Sequence, residues 1–231
     1  AETVNLAGEK GDAISTHVVN ITDRDAVLAL PAAVTAAHGQ VDGLLNIAGI
    51  IQKFVPVAEL GFDQIERVIN VNLYGTINTI KAFLPELTQR PEAAILNVAS
   101  MGAYAPVPGQ SLYGATKAAV AQLSRGLHSE LMATNVQVTG VFPGAIGTNI
   151  AVNSAIMTPE EMAAMSAGTG GKERKSTPAP EAGRQIVAAV EKGSYEIFIG
   201  SDARFMSRMS RLSPKRAAAL IYSQMKDLLG H

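Results

Sequence analysis

The sequence predicts an α/β protein with a doubly wound, Rossmann-like parallel sheet and helices on both faces. Two observations lead to this prediction. Segments typical of strands alternate along the 231-residue chain with segments of helical periodicity, as in repeated strand–helix–strand units. Several strand segments are apolar along nearly their whole length, and such strands are usually buried on both faces, as they are in parallel sheets.

The N-terminal part of the chain is predicted to contain one strand and one helix. Residues 14–19 (ISTHVV) are rich in β-branched side chains and lie between Gly11 and Asp23, which favours a strand. Thr22 and Asp23 then provide a helix start, and apolar residues recur at helical spacing until Gly39. Together they form the first predicted strand–helix unit.

The same alternation continues to residue 199. The apolar run at 41–47 predicts a strand that ends at Ala48 and Gly49. Residues 62–90 have a long helical pattern that is interrupted near residues 70–75. The remaining predicted elements are a strand at 94–99, a helix at 112–133, a strand at 136–141, a helix at 180–192 and a strand at 195–199. We expect all of them to belong to one domain over residues 1–231.

The composition argues against several classes of protein. Hydrophobic residues make up 47% of the chain and charged residues 17%, which is typical of a folded protein. The net charge of −1 disfavours binding to nucleic acid through a general positive field. Cysteine is absent, and the histidines lack ligand spacing, so we expect no metal site: they are His17, His38, His128 and His231. With no apolar run near the roughly 18 residues of a membrane span and no secretory signal, we expect a cytoplasmic protein.

A serine, a tyrosine and a lysine form the most informative pattern. Tyr113 and Lys117 are four residues apart on a predicted helix, so they lie on one face. A phenol has a pKa of about 10, and an ammonium within about 4–6 Å favours the phenolate and lowers that pKa. Ser100 ends an apolar strand, where its side chain can reach the edge of the sheet. These residues predict a general acid–base site.

Further motifs place this site within a known family. Polar positions recur at predicted strand ends and at the helix break, where an open α/β sheet binds its ligand. The motifs occur in order along the chain: NxAG at Asn46–Gly49, NVN at Asn70–Asn72, Ser100 with the Tyr113-x-x-x-Lys117 pair, and Pro143-Gly144 followed by Thr148. In this combination the chain resembles the short-chain dehydrogenase/reductase family, from about residue 14 to residue 199.

The resemblance implies catalytic roles for four residues. Tyr113 would exchange a proton with the substrate oxygen, and Ser100 would polarise that oxygen through a hydrogen bond. Lys117 would lower the pKa of Tyr113 and bind the hydroxyls of the nicotinamide ribose. Asn72 would lie at a helix kink and hold a water molecule of the proton relay. The hydride would be carried by the cofactor, NAD or NADP.

The resemblance also implies which residues contact the cofactor. Asn20, followed by Ile21, stands where the family usually has an acidic residue near the adenine. The other implied contacts are Asn46, Ala48 and Gly49 along the adenosine half, Tyr113 and Lys117 at the ribose, and Pro143, Gly144, Ile146 and Thr148 around the nicotinamide. The choice between NAD and NADP stays open, because no residue that reads the adenosine ribose is identified.

The family's glycine-rich loop, similar to TGxxxGxG, is not found before residue 14. In the family this loop opens a helix whose N-terminus receives the diphosphate. We therefore expect a strand–helix–strand segment of roughly 40 residues upstream of the first residue. Without it, the strand at 41–47 would have an open edge. A truncated chain, a gene start assigned too late and a true fragment are the alternatives.

The leading hypothesis is an NAD(P)-dependent oxidoreductase that interconverts an alcohol and a ketone or aldehyde. The resemblance places a substrate lid at residues 150–176, followed by a C-terminal helical extension at 202–231. Six of the eight methionines follow residue 150, which favours a small, apolar substrate. The resemblance also implies a homodimer or homotetramer. The alternatives are a catalytically silent scaffold that binds no dinucleotide and a related sugar-nucleotide epimerase.

Overall fold

A computed structural model describes residues 2–105, 107–168 and 176–226 of the chain. The strands are β1 (Gly43–Asn46), β2 (Ala93–Val98), β3 (Val136–Pro143), β4 (Ile146–Gly147), β5 (Thr177–Pro178) and β6 (Glu196–Ile199). The helices are α1 (Glu2–Ala7), α2 (Arg24–His38), α3 (Phe62–Ile69), α4 (Gly75–Leu87), α5 (Ser111–Leu131), α6 (Ile150–Asn153), α7 (Pro159–Gly168), α8 (Ala179–Glu191), α9 (Ser201–Leu212) and α10 (Pro214–Met225). Between α3 and α4 the chain makes a π-helical turn at Asn70–Tyr74.

The main sheet in the described part of the chain has four strands in the order β1-β2-β3-β6, and every neighbouring pair is parallel. Parallel neighbours need a connection that crosses back to the starting edge, and each connection here contains at least one helix. The predicted class, a Rossmann-like parallel sheet with helices on both faces, is confirmed. The short strands β4 and β5 form a separate parallel pair after the end of β3.

Helices cover both faces of the sheet. Ile95 of β2 belongs to the core that contains residues of α2, α4 and α5, and its neighbour Leu96 belongs to the core that contains residues of α8. Successive side chains of a strand point to opposite faces. A strand covered on both sides is therefore apolar at consecutive positions, which explains the pattern of residues 94–99.

Residues 14–19 do not form the predicted strand, so this prediction is wrong. The segment has no regular secondary structure, and Val18 is fully exposed. A strand is stabilised by hydrogen bonds to a neighbouring strand. Within the described residues, β1 pairs only with β2, and no strand offers a ladder to this segment. Its β propensity alone does not produce a strand.

Other predicted boundaries are confirmed. Asp23 Oδ1 accepts a hydrogen bond from Ala26 N at 3.1 Å, which begins α2, and the helix ends at Gly39 with φ 81°. The predicted interruption within residues 62–90 is the π-helical turn. From β1 onward, each predicted strand and helix of the alternation has limits within three residues of those observed.

Two C-terminal regions are described in part. α6 and α7 occupy most of the predicted lid at 150–176, and residues 169–175 of it lie outside the described residues. α9 and α10 pack together after β6, where Met206 and Ile221 are buried with Ala105. This cluster packs the predicted C-terminal extension at 202–231 against the loop that follows Ser100. Residues 227–231 of the extension lie outside the described residues.

The longest helix in the described part of the chain is α5, with 21 residues. Its sequence includes several polar and charged side chains. No described helix is both long enough and apolar enough to cross a membrane. α5 carries Tyr113 and Lys117 near its first turns, and these residues connect the helix to the edge of the sheet.

Candidate active site

Three strand ends bring the predicted site residues to one edge of the sheet. β1, β2 and β3 are parallel, so their carboxyl ends lie at the same edge, where open α/β sheets bind ligands. The chain leaves these ends through Ala48–Gly49, Ser100 and Gly144. α5 reaches the same edge, because Lys117 Nζ donates a hydrogen bond of 2.8 Å to the carbonyl of Val98.

Two glycines let α5 approach the loop after Ser100. A Cβ atom at Gly114 would lie 3.0 Å from Gly102 O, so helix and loop are in close backbone contact. A Cβ atom at Gly102 would lie 3.4 Å from Ser100 Oγ and 3.5 Å from Tyr113 Cε1. Ser100 Oγ also accepts a hydrogen bond from Gly102 N at 3.0 Å. The loop therefore holds the Ser100 hydroxyl close to the ring of Tyr113.

The phenol of Tyr113 favours its protonated form. Burial raises the pKa of Tyr113, and a hydrogen bond with Ser100 lowers it to a smaller extent. Lys117 Nζ lies 5.9 Å from the centroid of the Tyr113 ring. The net direction is upward, because loss of solvent around the phenolate outweighs the hydrogen bond with Ser100. That Lys117 lowers the pKa of Tyr113 stays a prediction.

Lys117 is a buried cation with unused hydrogen-bond donors. The residue is 4% exposed, and burial lowers its pKa from 10.5 to about 8. An ammonium has three N–H donors, and among the described residues only Val98 O accepts one of them. The remaining donors are available to oxygen atoms of a ligand, such as the hydroxyls of a ribose.

Asn72 ties the loop after β1 to α5. It is fully buried in the π-helical turn, a feature that is rare and often lies at functional sites. Its Oδ1 accepts from Ile50 N at 2.8 Å, and its Nδ2 donates to Ile50 O at 2.9 Å and to Thr116 Oγ1 at 3.1 Å. Both N–H groups of the side chain are thus engaged, so a water molecule would bind at another atom of Asn72.

A row of polar side chains crosses the sheet next to this site. Asn46 Nδ2 donates to Asn97 Oδ1 at 2.8 Å, and Asn46 Oδ1 accepts from Thr79 Oγ1 at 2.7 Å. Asn97 Nδ2 continues the row to Ser124 Oγ at 3.0 Å. The side chain of Asn46 is therefore held by protein groups on both sides.

The last two residues of the NxAG motif differ in their surroundings. Ala48 is exposed, whereas Gly49 lies against the polar centre of the site. A Cβ atom at Gly49 would lie 3.1 Å from Lys117 Nζ and 3.4 Å from Asn72 Oδ1. Because glycine adds no side chain, the space beside the buried ammonium stays available for a ligand.

An aspartate of α9 holds the turn after β3. Gly144 N donates to Ile199 O at 2.9 Å, and Ala145 N donates to Asp202 Oδ2 at 2.7 Å. A Cβ atom at Gly144 would lie 2.2 Å from both carboxylate oxygens of Asp202, so any larger residue there would displace this carboxylate. The carboxylate and the glycine together fix the path of this turn.

The other predicted contacts of the nicotinamide lie along the same turn. Pro143 is the last residue of β3 and is partly buried. Ile146 belongs to β4 and pairs with Thr177 of β5. Thr148 is exposed. All three lie close to Gly144 because they belong to the same strand end and the turn after it. The hydrogen bonds and strand pairings among the described residues do not join their side chains to one another.

Ile21 contacts α4, and Asn20 forms a turn just before α2. Asn20 Oδ1 accepts from Thr22 N at 3.1 Å, which forms a turn before α2. Ile21 O accepts from Asn78 Nδ2 at 3.0 Å, and a Cβ atom at Gly75 would lie 2.6 Å from Ile21 Cδ1. The structure therefore brings Ser100, Tyr113, Lys117, Asn72 and Gly49 into one cluster and places Ile21 beside α4, with Asn20 in the turn before α2.

The described residues fit one end of the dinucleotide that the resemblance implies. The free donors of Lys117 and the open space at Gly49 fit a ribose next to the Tyr113 phenol. The diphosphate end is different. Among the described residues, no strand is followed by a turn with several glycines that opens a helix, which is the arrangement that binds a diphosphate.

Two glutamines beside Tyr113 are not among the predicted site residues. Gln52 is 2% exposed and its Oε1 accepts a hydrogen bond from Tyr113 N at 2.8 Å. Gln110 is the N-cap residue of α5. The sequence gives no signal for them, because the predicted helix start at residue 112 makes Ser111, a good capping residue, the expected N-cap, whereas the observed N-cap is Gln110.

The sequence matches a family model and several known proteins. The model, described as short chain dehydrogenase, matches residues 1–158. SadH of Mycobacterium tuberculosis is 34% identical over 215 residues, which cover 92% of this chain and 77% of SadH. The NADP-dependent 3-hydroxy acid dehydrogenase YdfG of Salmonella typhimurium is 32% identical over 142 residues, which cover 62% of this chain and 57% of YdfG.

Solved structures share the fold. The closed form of serine dehydrogenase complexed with NADP+ has a TM-score of 0.72 and 25% sequence identity, covering 86% of this chain and 79% of that chain. Levodione reductase has a TM-score of 0.74 and 24% identity, covering 88% of this chain and 83% of that chain. The parallel sheet with flanking helices is thus the arrangement found in these proteins.

Proposed function

Because the chain belongs to the short-chain dehydrogenase family, we propose that it is an oxidoreductase that interconverts an alcohol and a ketone or aldehyde with NAD(P). Tyr113 is the general acid and base of this reaction, and Ser100, Lys117 and Asn72 complete the site. One observation carries the proposal: the phenol of Tyr113, the hydroxyl of Ser100 and the buried ammonium of Lys117 meet at the carboxyl edge of a parallel sheet.

The pKa of Tyr113 defines its role in each direction. Burial raises that pKa, so near neutral pH the residue carries the proton that carbonyl reduction needs. During reduction Tyr113 Oη gives this proton to the substrate oxygen, and during alcohol oxidation the resulting phenolate takes it back. Ser100 Oγ donates a hydrogen bond to the same oxygen and stabilises the negative charge that develops there.

The nicotinamide, when bound, donates or accepts the hydride at the substrate carbon. Lys117 would hold the adjacent ribose through the donors that Val98 leaves free. Its charge, 5.9 Å from the centroid of the Tyr113 ring, would favour the phenolate once the proton has been given to the substrate. Pro143, Gly144, Ile146 and Thr148 would flank the nicotinamide, and Asp202 holds the turn that they follow. Asn46, Ala48, Asn20 and Ile21 would line the adenosine side, and Gly49 would lie between that side and the ribose beside Lys117.

The cofactor is NAD or NADP. Two similar proteins favour NADP: YdfG is NADP-dependent by name, and the serine dehydrogenase structure is a complex with NADP+. The substrate is a small alcohol or carbonyl compound, and the methionines of the lid and extension favour an apolar one. The assembly implied by the family is a homodimer or homotetramer, which size-exclusion chromatography with light scattering tests.

The matched pair Tyr113→Phe and Tyr222→Phe tests the reaction. Alcohol oxidation and carbonyl reduction are measured with both cofactors over a panel of small secondary alcohols and their ketones. Loss of the phenolic proton donor lowers kcat by about 10²–10⁴-fold in Tyr113→Phe. Tyr222 is exposed on α10, and its variant keeps wild-type kinetics. Undiminished turnover in Tyr113→Phe refutes the mechanism.

The second candidate is a catalytically silent scaffold. The observation that favours it is the lack, among the described residues, of a glycine-rich turn for the diphosphate. Titration of the 231-residue chain with NADPH and with NADH distinguishes the two candidates. Saturable binding supports the oxidoreductase, and no change in nucleotide fluorescence or thermal stability supports the scaffold.

A further inference from the structure

The first turn of α5 lacks a local cap. The helix begins at Ser111, and the side chain of its N-cap residue, Gln110, makes no capping hydrogen bond. The first N–H groups of a helix have no partner within the helix and require one from outside. Tyr113 is the third residue of α5. The placement of this turn therefore depends on an acceptor from another part of the chain.

That acceptor is Gln52, in the loop that follows β1. Tyr113 N donates to Gln52 Oε1 at 2.8 Å, and the two residues are 61 positions apart in the sequence. Gln52 Nε2 donates to Gly109 O at 3.1 Å. One buried amide thus holds both the residue before the N-cap and the residue that bears the phenol.

Gln110 holds Gln52 in return. Gln110 Nε2 donates to Gln52 O at 2.6 Å, and both residues are buried. Breaking one of these bonds would leave a buried polar group without a partner, which is costly. Gln110 Oε1 already has no hydrogen-bond partner among the described residues. Substitution of Gln110 would change that atom as well, so Gln52 is the better position for a test.

The loop that carries Gln52 is held at consecutive residues. Asn72 binds both Ile50 N and Ile50 O. Ile51 N donates to Ser154 Oγ at 3.0 Å, and Ser154 is fully buried. The loop is therefore a fixed support that joins the π-helical turn, the segment after α6 and the first turn of α5.

We propose that Gln52 is a positioning residue that sets the place of Tyr113 relative to Ser100. This inference rests on the proposed function, in which the Tyr113 phenol exchanges a proton with the substrate. Gln52 binds the backbone N of Tyr113 itself, so a change in this hydrogen bond moves the Cα atom from which the phenol projects. A misplacement of about 1 Å can lower a rate by about 10²-fold.

The variants Gln52→Met and Gln52→Glu separate positioning from mere stability. Met has a similar volume and offers only a weakly accepting sulfur, whereas Glu keeps an oxygen for Tyr113 N and loses the donor to Gly109 O. We expect Gln52→Met to lower kcat by about 10- to 100-fold with the KM for the cofactor within about twofold. Gln52→Glu restores a large part of kcat. Gln89→Met, at an exposed glutamine after α4, is the control and keeps wild-type kinetics.

Hydrogen exchange at the Tyr113 amide reports on the cap independently of turnover. We expect faster exchange in Gln52→Met than in the wild type, with slow exchange kept in Gln52→Glu. Unchanged exchange in Gln52→Met, or faster exchange with wild-type kcat, overturns the proposal. If Gln52→Met does not fold, Gln52→Glu alone decides. A Tyr113 amide that stays protected in this variant while kcat falls 100-fold overturns the proposal. A wild-type chain with no turnover refutes the proposed function instead, and this inference with it.

Discussion

The ammonium of Lys117 donates a hydrogen bond of 2.8 Å to the carbonyl of Val98, the last residue of β2. This bond links α5 to the strand end that precedes Ser100. Burial brings the pKa of Lys117 to about 8, so near neutral pH the folded protein keeps a cation away from solvent. The free energy of unfolding therefore depends on pH in a defined direction.

Lys117→Met is expected to remove a rise of stability with pH. The pKa of Lys117 is about 8 in the folded protein, against an ordinary value of 10.5. Between these values the unfolded chain binds more protons, so the free energy of unfolding increases with pH. Between about pH 7 and about pH 9.5, the free energy of unfolding measured in urea should therefore rise by about 2 kcal/mol more in the wild type than in Lys117→Met. Lys81→Met, at an exposed position of α4, should keep the rise. Parallel profiles for the wild type and Lys117→Met would contradict the burial of this charge.

Asn72→Ala is expected to release the loop after β1. The variant leaves Ile50 N and Ile50 O without their partner, in a region that is largely closed to solvent. We expect a loss of about 2–3 kcal/mol in the free energy of unfolding, together with a lower kcat. Asn135→Ala, at an exposed position before β3, should stay within about 0.5 kcal/mol of the wild type. Equal free energies of unfolding for the two variants in urea would show that the hydrogen bonds between Asn72 and Ile50 add nothing to stability.

Two glycines are expected to respond in opposite ways to alanine. Gly126 lies inside α5 and a Cβ atom there would meet nothing within 4 Å, so Gly126→Ala should raise stability by about 0.5–1 kcal/mol and keep activity. At Gly49 the new methyl group would press on Lys117 Nζ. Gly49→Ala should displace the ammonium and lower kcat/KM with little change in the melting temperature. Calorimetry and steady-state kinetics on both variants check this; a fully active Gly49→Ala enzyme would disprove the close contact.

Arg125→Met is expected to destabilise the cluster behind the Ser100 loop. Arg125 Nε lies 2.7 Å from Glu196 Oε1, and Arg125 also donates a hydrogen bond to the Tyr104 hydroxyl. The Glu196 side chain is 12% exposed, and in the described part of the chain it would keep only the more distant Arg211 as an ion-pair partner, at 3.6 Å. We expect a loss of about 1–3 kcal/mol. A double-mutant cycle with Glu196→Gln measures the coupling between the two groups, and additive effects would show that they act independently.

The sequence predicts those parts of the fold that local patterns determine. The buried strands and the helices on them follow from runs of apolar residues, and the break at Asn70–Tyr74 follows from polar residues within an apolar helix. Residues 14–19 have the right propensity, but a strand also requires a neighbour, which no single segment reveals. The cluster of Ser100, Tyr113 and Lys117 follows from motifs. Gln52 does not, because its role depends on a helix start 61 residues away.

The amide pair of Asn46 and Asn97 also determines how two strands align. The two residues are direct partners in the register of β1 and β2, and their side chains are joined at 2.8 Å. A shift by two residues would keep the same faces buried but would place both amides opposite apolar neighbours. The pair therefore makes one alignment favourable. Gly49 and Ser100 each follow their asparagine by three residues, so a slip in this alignment would also move the two site segments relative to each other along the strand direction.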